Sequence, residues 1–134
     1  MRLAEAEDIP GNECWDLLKT VSVGRLAISM NALPAIVPVQ YAVDAGELIA
    51  CLGHYAIPHA AVDGTVVAFA ADHLGSADQG GWSVQLQGRA WVPSKPVDCA
   101  QPTPGQLIRI TPVTLTGHRL HLCPFTSWQL GQIS

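Results

Sequence analysis

The chain has 134 residues, enough for one ordinary domain, and 49% of them are hydrophobic while only 13% are charged. The net charge of −4 and the scattered basic residues lack the cluster of Lys and Arg that a nucleic-acid surface needs. No apolar run approaches the roughly 20 residues of a membrane helix, and the acidic first ten residues are unlike a secretory leader. We therefore predict a cytoplasmic protein, one domain over residues 1–134, that binds neither nucleic acid nor membrane.

The first predicted element is a helix that begins near Asn12. Asparagine is a favourable N-cap, and acidic residues suit the positive end of a helix. Cys14, Leu17 and Leu18 then fall on one face. We expect this helix to pack its apolar face on the rest of the domain.

Glycines and prolines separate the remaining chain into short segments rich in Val, Ile, Leu and Thr, which is typical of an all-β domain. The predicted strands span residues 22–30, 33–43, 47–52, 65–71, 82–92, 107–115 and 119–122. Residues 53–64 could add about two turns of helix. Pro34 and Pro38 place the second strand at a sheet edge or at a bulge. A turn at Thr116-Gly117 is predicted to join the last two strands.

The segment 82–92 is the clearest half-buried strand. Small and apolar residues alternate there with polar ones, and the first set comprises Trp82, Val84, Leu86, Gly88 and Ala90. With six or seven antiparallel strands and one firm helix, the sequence predicts a mainly β fold. We expect a closed or partly closed barrel.

The cysteines and histidines give no clear chemical motif. The four cysteines, Cys14, Cys51, Cys99 and Cys123, include no C-x-x-C pair. In a reducing compartment we interpret them as small buried hydrophobes, not as a disulfide framework. His121 and Cys123 share a strand face but His118 lies on the other, so we predict no metal site.

Five segments in order span nearly the whole chain: Glu13–Leu18, Val23–Ser29, Pro34–Tyr41, Gly81–Ala90 and Leu107–Leu120. Together they resemble the short actinobacterial members of the pyridoxamine 5′-phosphate oxidase-like family of FMN-binding split β-barrels. The resemblance implies a six- to seven-stranded antiparallel split barrel of Greek-key type with one or two short helices. It also implies a homodimer that holds FMN, or a deazaflavin, at the subunit interface.

Relatives grip the flavin phosphate with Arg, Ser or Thr, and Lys around the third strand and the following short helix. Aligned from Val67-Ala68-Phe69, Cys51 stands at the Arg position, Leu52 at the Thr position and Ile57 at the Lys position. Loss of two charge-assisted hydrogen bonds costs about 3–6 kcal/mol of binding. The sequence therefore predicts a degenerate phosphate grip.

The resemblance names nine candidate cofactor-binding residues, while catalytic residues stay unassigned. They are Arg25, Val39, Gln40, Tyr41, Cys51, Leu52, His54, Ile57 and Trp82. Arg25 either contacts the flavin or pairs with a carboxylate. His54 and His59 either replace the missing basic residues or are loop histidines without a ligand. Tyr41 suits barrel packing better than flavin contact, and Trp82 fits either an interface or the core.

Two functional hypotheses follow. The first is a flavin-binding, oxidoreductase-like protein in which the cofactor carries the hydride chemistry. The second is a non-catalytic homodimer on the same scaffold, which has lost flavin or binds another small apolar ligand. Retention of the family segments favours the first hypothesis, and loss of the phosphate grip favours the second.

Overall fold

The computed structural model describes residues 2–52, 57, 59–75, 80–93 and 106–123, with backbone only at 2–7, 59–60 and 121–123. Seven strands and two helices are present in these residues. The strands are β1 (Arg2–Asp8), β2 (Val23–Met30), β3 (Leu33–Asp44), β4 (Glu47–Cys51), β5 (Val66–His73), β6 (Gly81–Trp91) and β7 (Leu107–Cys123). The helices are α1 (Gly11–Leu18) and α2 (His59–Val62).

The strands form one antiparallel sheet that closes on itself. Their order is β1-β7-β4-β3-β2-β5-β6, and β6 also pairs with β7. Six strands therefore complete a ring, and β1 adds to the far end of β7. The predicted mainly β, antiparallel barrel is confirmed.

The predicted turn at Thr116-Gly117 is wrong, because β7 runs unbroken through both residues. Thr116 lies opposite Gln85 and Gly117 opposite Val84, so both belong to the β6–β7 ladder. Glycine is needed at 117 for space: a Cβ there would lie 2.5 Å from Cys14 Sγ on α1. Strand β1, which pairs with the continuation of β7, was not predicted from the sequence.

Pro34 and Pro38 lie in the half of β3 that has a neighbour on one side only. β3 pairs with β2 over its first eight residues, whereas its pairing with β4 begins at Gln40. Neither proline therefore removes a hydrogen bond from a strand with two neighbours. The expected edge position is confirmed for this half of the strand.

Helix α1 closes one end of the barrel. It begins at Gly11 with Pro10 in the N-cap position and no capping side chain, so the prediction of Asn12 as the cap is wrong. Its inner residues Cys14 and Leu18 are fully buried. The Tyr41 hydroxyl donates a hydrogen bond to the Leu18 carbonyl oxygen over 2.6 Å. That bond ties the helix to β3, and burial raises the pKa of Tyr41 to about 12.

The barrel interior is filled by the inward residues of every strand of the ring. On β6 the predicted alternation is confirmed, since Trp82, Val84, Leu86 and Ala90 are all buried. Cys14 is a free buried thiol, as expected. The expectation that the cysteines are not disulfide-bonded is wrong for Cys51, which is in a disulfide.

Candidate functional site

The outer face of the barrel carries a groove whose floor is made of small side chains. The strand registers place Arg25 opposite Ala70, and Ala27 opposite Ala68, on adjoining strands β2 and β5. Three of these four outward positions are therefore alanine. Because each alanine ends at Cβ, the surface is lower here than at the longer side chains around it.

Longer side chains on the neighbouring strands form the walls. Ile36 on β3 stands on one side, and Gln85 and Gln87 on β6 stand on the other, backed by Thr114 and Thr116 on β7. The groove has a volume of about 410 Å3. That size falls within the range of small-molecule sites, roughly 300–1,000 Å3.

Two contacts fix the polar chemistry of the groove. Arg25 Nη1 lies 3.6 Å from Asp72 Oδ2, and the Arg25 side chain is 61% exposed. The Thr114 hydroxyl donates a hydrogen bond to Gln87 Oε1 over 3.2 Å, so the carbonyl of Gln87 is engaged. The Gln87 amide NH2 is then available to donate to a ligand. With a guanidinium and an amide NH2, the groove offers donors to an acceptor-bearing molecule.

The candidate residues from the sequence do not gather around this groove. Of the candidates that the structure describes, Arg25 alone lines it. Gln40 lies exposed on the outer face of β3, opposite Cys51 at the end of β4. The others described are buried in the barrel: Val39, Tyr41, Leu52, Ile57 and Trp82. His54 is outside the described residues, as is the side chain of His59, and the contacts of all these residues with a flavin stay a prediction.

The pairing alternative for Arg25 is present in the structure, because Asp72 is its carboxylate partner. The alanine floor was not predicted from the sequence. In the sequence, Gln85 and Gln87 belong only to the polar set that alternates with the small and apolar residues of 82–92. Alanines at outward positions of two adjoining strands are the signal, but they can be recognised only once the β2–β5 register is known.

A search for metal ligands supports no second site in the described part of the chain. No group of three or more His, Cys, Asp or Glu side chains there could hold a metal ion. His118 instead lies beside Asp8, with Nδ1 and Oδ1 3.3 Å apart. The side chains of His121 and Cys123 are outside the description. Among the described helices, none has the length and apolarity to span a membrane.

Comparison with known proteins identifies the family. Residues 10–98 match the family described as pyridoxamine 5′-phosphate oxidase. The Mycobacterium tuberculosis protein named uncharacterized protein Rv0080 is 34% identical in an alignment 102 residues long, which covers 72% of this chain and 67% of that protein.

Solved structures show the same fold. The FAD binding protein from Mycobacterium smegmatis has a TM-score of 0.69 and 25% identity, covering 86% of this chain and 98% of its own. A FAD-binding protein from Mesorhizobium loti has a TM-score of 0.63 and 21% identity, covering 87% and 97%. The chain described here belongs to the pyridoxamine 5′-phosphate oxidase family.

Proposed function

We propose that this protein binds a flavin and belongs to the oxidoreductase-like members of its family. The observation that carries the proposal is the 25% identity to a FAD binding protein over 86% of the chain. FMN and a deazaflavin are the cofactors expected from the sequence. FAD is a third candidate, because that relative is a FAD binding protein. The flavin would supply the hydride chemistry, and the protein would supply position and polarity. We propose the cytosol as its location.

The residues at the phosphate-grip positions favour weak FMN binding. A phosphate monoester carries nearly two negative charges at neutral pH, and its partial burial requires cations or hydrogen-bond donors. Leu52 and Ile57 are buried apolar side chains, and Cys51 is held in a disulfide. FAD distributes its charge over two phosphates and adds an adenine that can stack. We therefore expect FAD to bind at least as tightly as FMN.

The absorbance spectrum of the purified protein between 350 and 500 nm tests this proposal first. We expect little flavin to co-purify, and we expect added FMN to bind with a Kd in the micromolar range or weaker. Titrations with FMN, FAD and riboflavin, followed by flavin fluorescence, separate the contribution of the phosphate to the binding affinity from that of the flavin ring. Tight stoichiometric FMN would contradict the degenerate grip, and no binding of any flavin at millimolar concentration would overturn the proposal.

The second candidate is a non-catalytic homodimer that uses the same scaffold without a flavin. Leu52 and Ile57, at two of the phosphate-grip positions, favour this candidate because buried apolar side chains cannot bond to a phosphate. Analytical ultracentrifugation at tens of micromolar tests the dimer, which should bury more than about 1,000 Å2. A strict monomer would contradict it, and a dimer that binds no flavin would favour this candidate over the first.

A further inference from the structure

We propose that the outer-face groove binds a flat apolar molecule that carries a carboxylate group, such as an aromatic carboxylic acid. The groove is defined here by its alanine floor, Ile36, the Gln85–Gln87 wall and Arg25. The proposal rests on this groove alone. It holds whether or not the protein also binds a flavin.

The shape of the groove sets the size of the ligand. Arg25 lies on β2 and Gln87 on β6, and β5 runs between them. Two strand spacings, about 10 Å, separate β2 from β6. Gln87 is also two residues further along the strands, since Arg25 lies opposite Ala70 and Gln87 lies opposite Ala68. A system of two fused aromatic rings fits over the methyl groups of Ala27, Ala68 and Ala70. A thicker or strongly branched molecule would lose contact with this flat floor.

The charge of the groove determines which functional group the ligand carries. Among the described residues, Arg25 is the one cation that lines the groove, and its 3.6 Å distance from Asp72 is long for a charge-assisted hydrogen bond. A guanidinium has five N–H donors in a planar fork, so most of them stay available. A carboxylate can accept two of them side by side, and Asp72 is not part of the lining. An acid is therefore preferred over an amine or a neutral ring.

The polar wall orients the other edge of the ligand. Thr114 holds Gln87 by its side-chain carbonyl, which leaves two amide N–H groups for the ligand. A ring that has a hydroxyl or carbonyl group opposite its carboxylate would accept this donor. Arg25 and Gln87 together would then define one orientation over the alanine floor.

Two probes of equal shape test the proposal: 2-naphthoate, and 2-naphthamide as its uncharged counterpart. Fluorescence titration in the absence of flavin should give naphthoate binding at least about tenfold tighter than naphthamide binding. Arg25→Gln should abolish this difference while naphthamide binding stays unchanged. Ala68→Leu fills the floor and should weaken both probes at least about tenfold.

Two variants outside the groove serve as controls. Ala42→Leu adds the same volume at an exposed outward position of β3, and Arg89→Gln removes an exposed cation from β6. Both should bind the probes as the wild type does. Equal binding of acid and amide by the wild type, or unaltered binding by Ala68→Leu, would overturn the proposal.

Two further outcomes would assign the groove to another occupant and would also overturn the proposal. If no probe binds and Ala68→Leu converts a dimer into a monomer in sedimentation, a second copy of the chain occupies the groove. If FMN displaces naphthoate competitively, the flavin ring occupies it. If flavin does not bind but the naphthoate results are as expected, flavin binding fails while this proposal stands.

Discussion

The two faces of the β2–β5 wall use small residues for opposite purposes. On the inner face, Gly24 leaves space that the ring of Phe69 fills, and a Cβ at 24 would lie 2.3 Å from that ring. On the outer face, the alanines at 27, 68 and 70 leave space that no side chain in the described part of the chain fills. Residue size alone therefore says little about the role of a position. A small residue marks tight packing or a binding site according to what lies opposite it.

The largest effect is expected from Gly24→Ala on the inner face. The added methyl group would press on the Phe69 ring and lie 2.9 Å from the Ala70 carbonyl oxygen, which is backbone. Overpacking of this kind lowers the free energy of unfolding by about 1–3 kcal/mol. Urea denaturation measures the loss. Gly11→Ala is the control, since no atom lies within 4 Å of a Cβ there, and equal midpoints for the two variants would refute the packing argument.

The inner face could largely be predicted from the sequence, and the outer face could not. Alternation along 82–92 is a local pattern, so Val84 and Leu86 were assigned to the core correctly. The groove depends on which strands adjoin and in what register, because Ala27 and Ala68 are distant in sequence. The same limit explains Gly117. It was interpreted as a turn residue because the approach of Cys14 is a long-range contact.

Tyr41→Phe should have the next largest effect, also on the inner face. Tyr41 packs edge-on against Phe69, with ring centroids 4.8 Å apart, and its hydroxyl bonds to Leu18. Phenylalanine keeps the ring contact but leaves the carbonyl oxygen without this donor. The free energy of unfolding should fall by about 1–1.5 kcal/mol at pH 7.

The same variant has a distinctive pH dependence. The pKa of Tyr41 is raised from 10.0 to about 12 on folding, so the folded state keeps this proton after the unfolded state has lost it. Stability from this group is therefore complete below pH 10 and is lost as the pH rises from 10 towards 12. Denaturation of both proteins from pH 8 to 11.5 should show their difference narrowing above pH 10. A constant difference over that range would contradict the assignment.

Ala32→Gly should have a smaller effect and of opposite sign. Ala32 lies on neither face of the sheet, because Asn31 and Ala32 form the turn between β2 and β3. Their φ angles are positive, 52° and 64°. A Cβ is strained in that region, whereas glycine adopts it freely. We expect a gain of about 0.5–1 kcal/mol in the free energy of unfolding. Ala42→Gly, within β3, should instead lose a similar amount, and a loss in both variants would exclude turn strain at 32.

Ala68→Leu should change stability least, and it tests most directly whether the inner and outer faces of the β2–β5 wall differ. Ala68 points outward from β5, whereas Ala71 on the same strand points inward and is fully buried. The same enlargement at 71 should cost about 1–3 kcal/mol, because the barrel interior has no room for three more carbon atoms. At 68 the longer side chain enters the open groove, and the free energy of unfolding should stay within about 0.5 kcal/mol of the wild type. Paired urea denaturation curves decide the point. Large losses at both positions would mean that the outer alanines are packing residues, as Gly24 is, and the groove would then lose its claim to be a binding site.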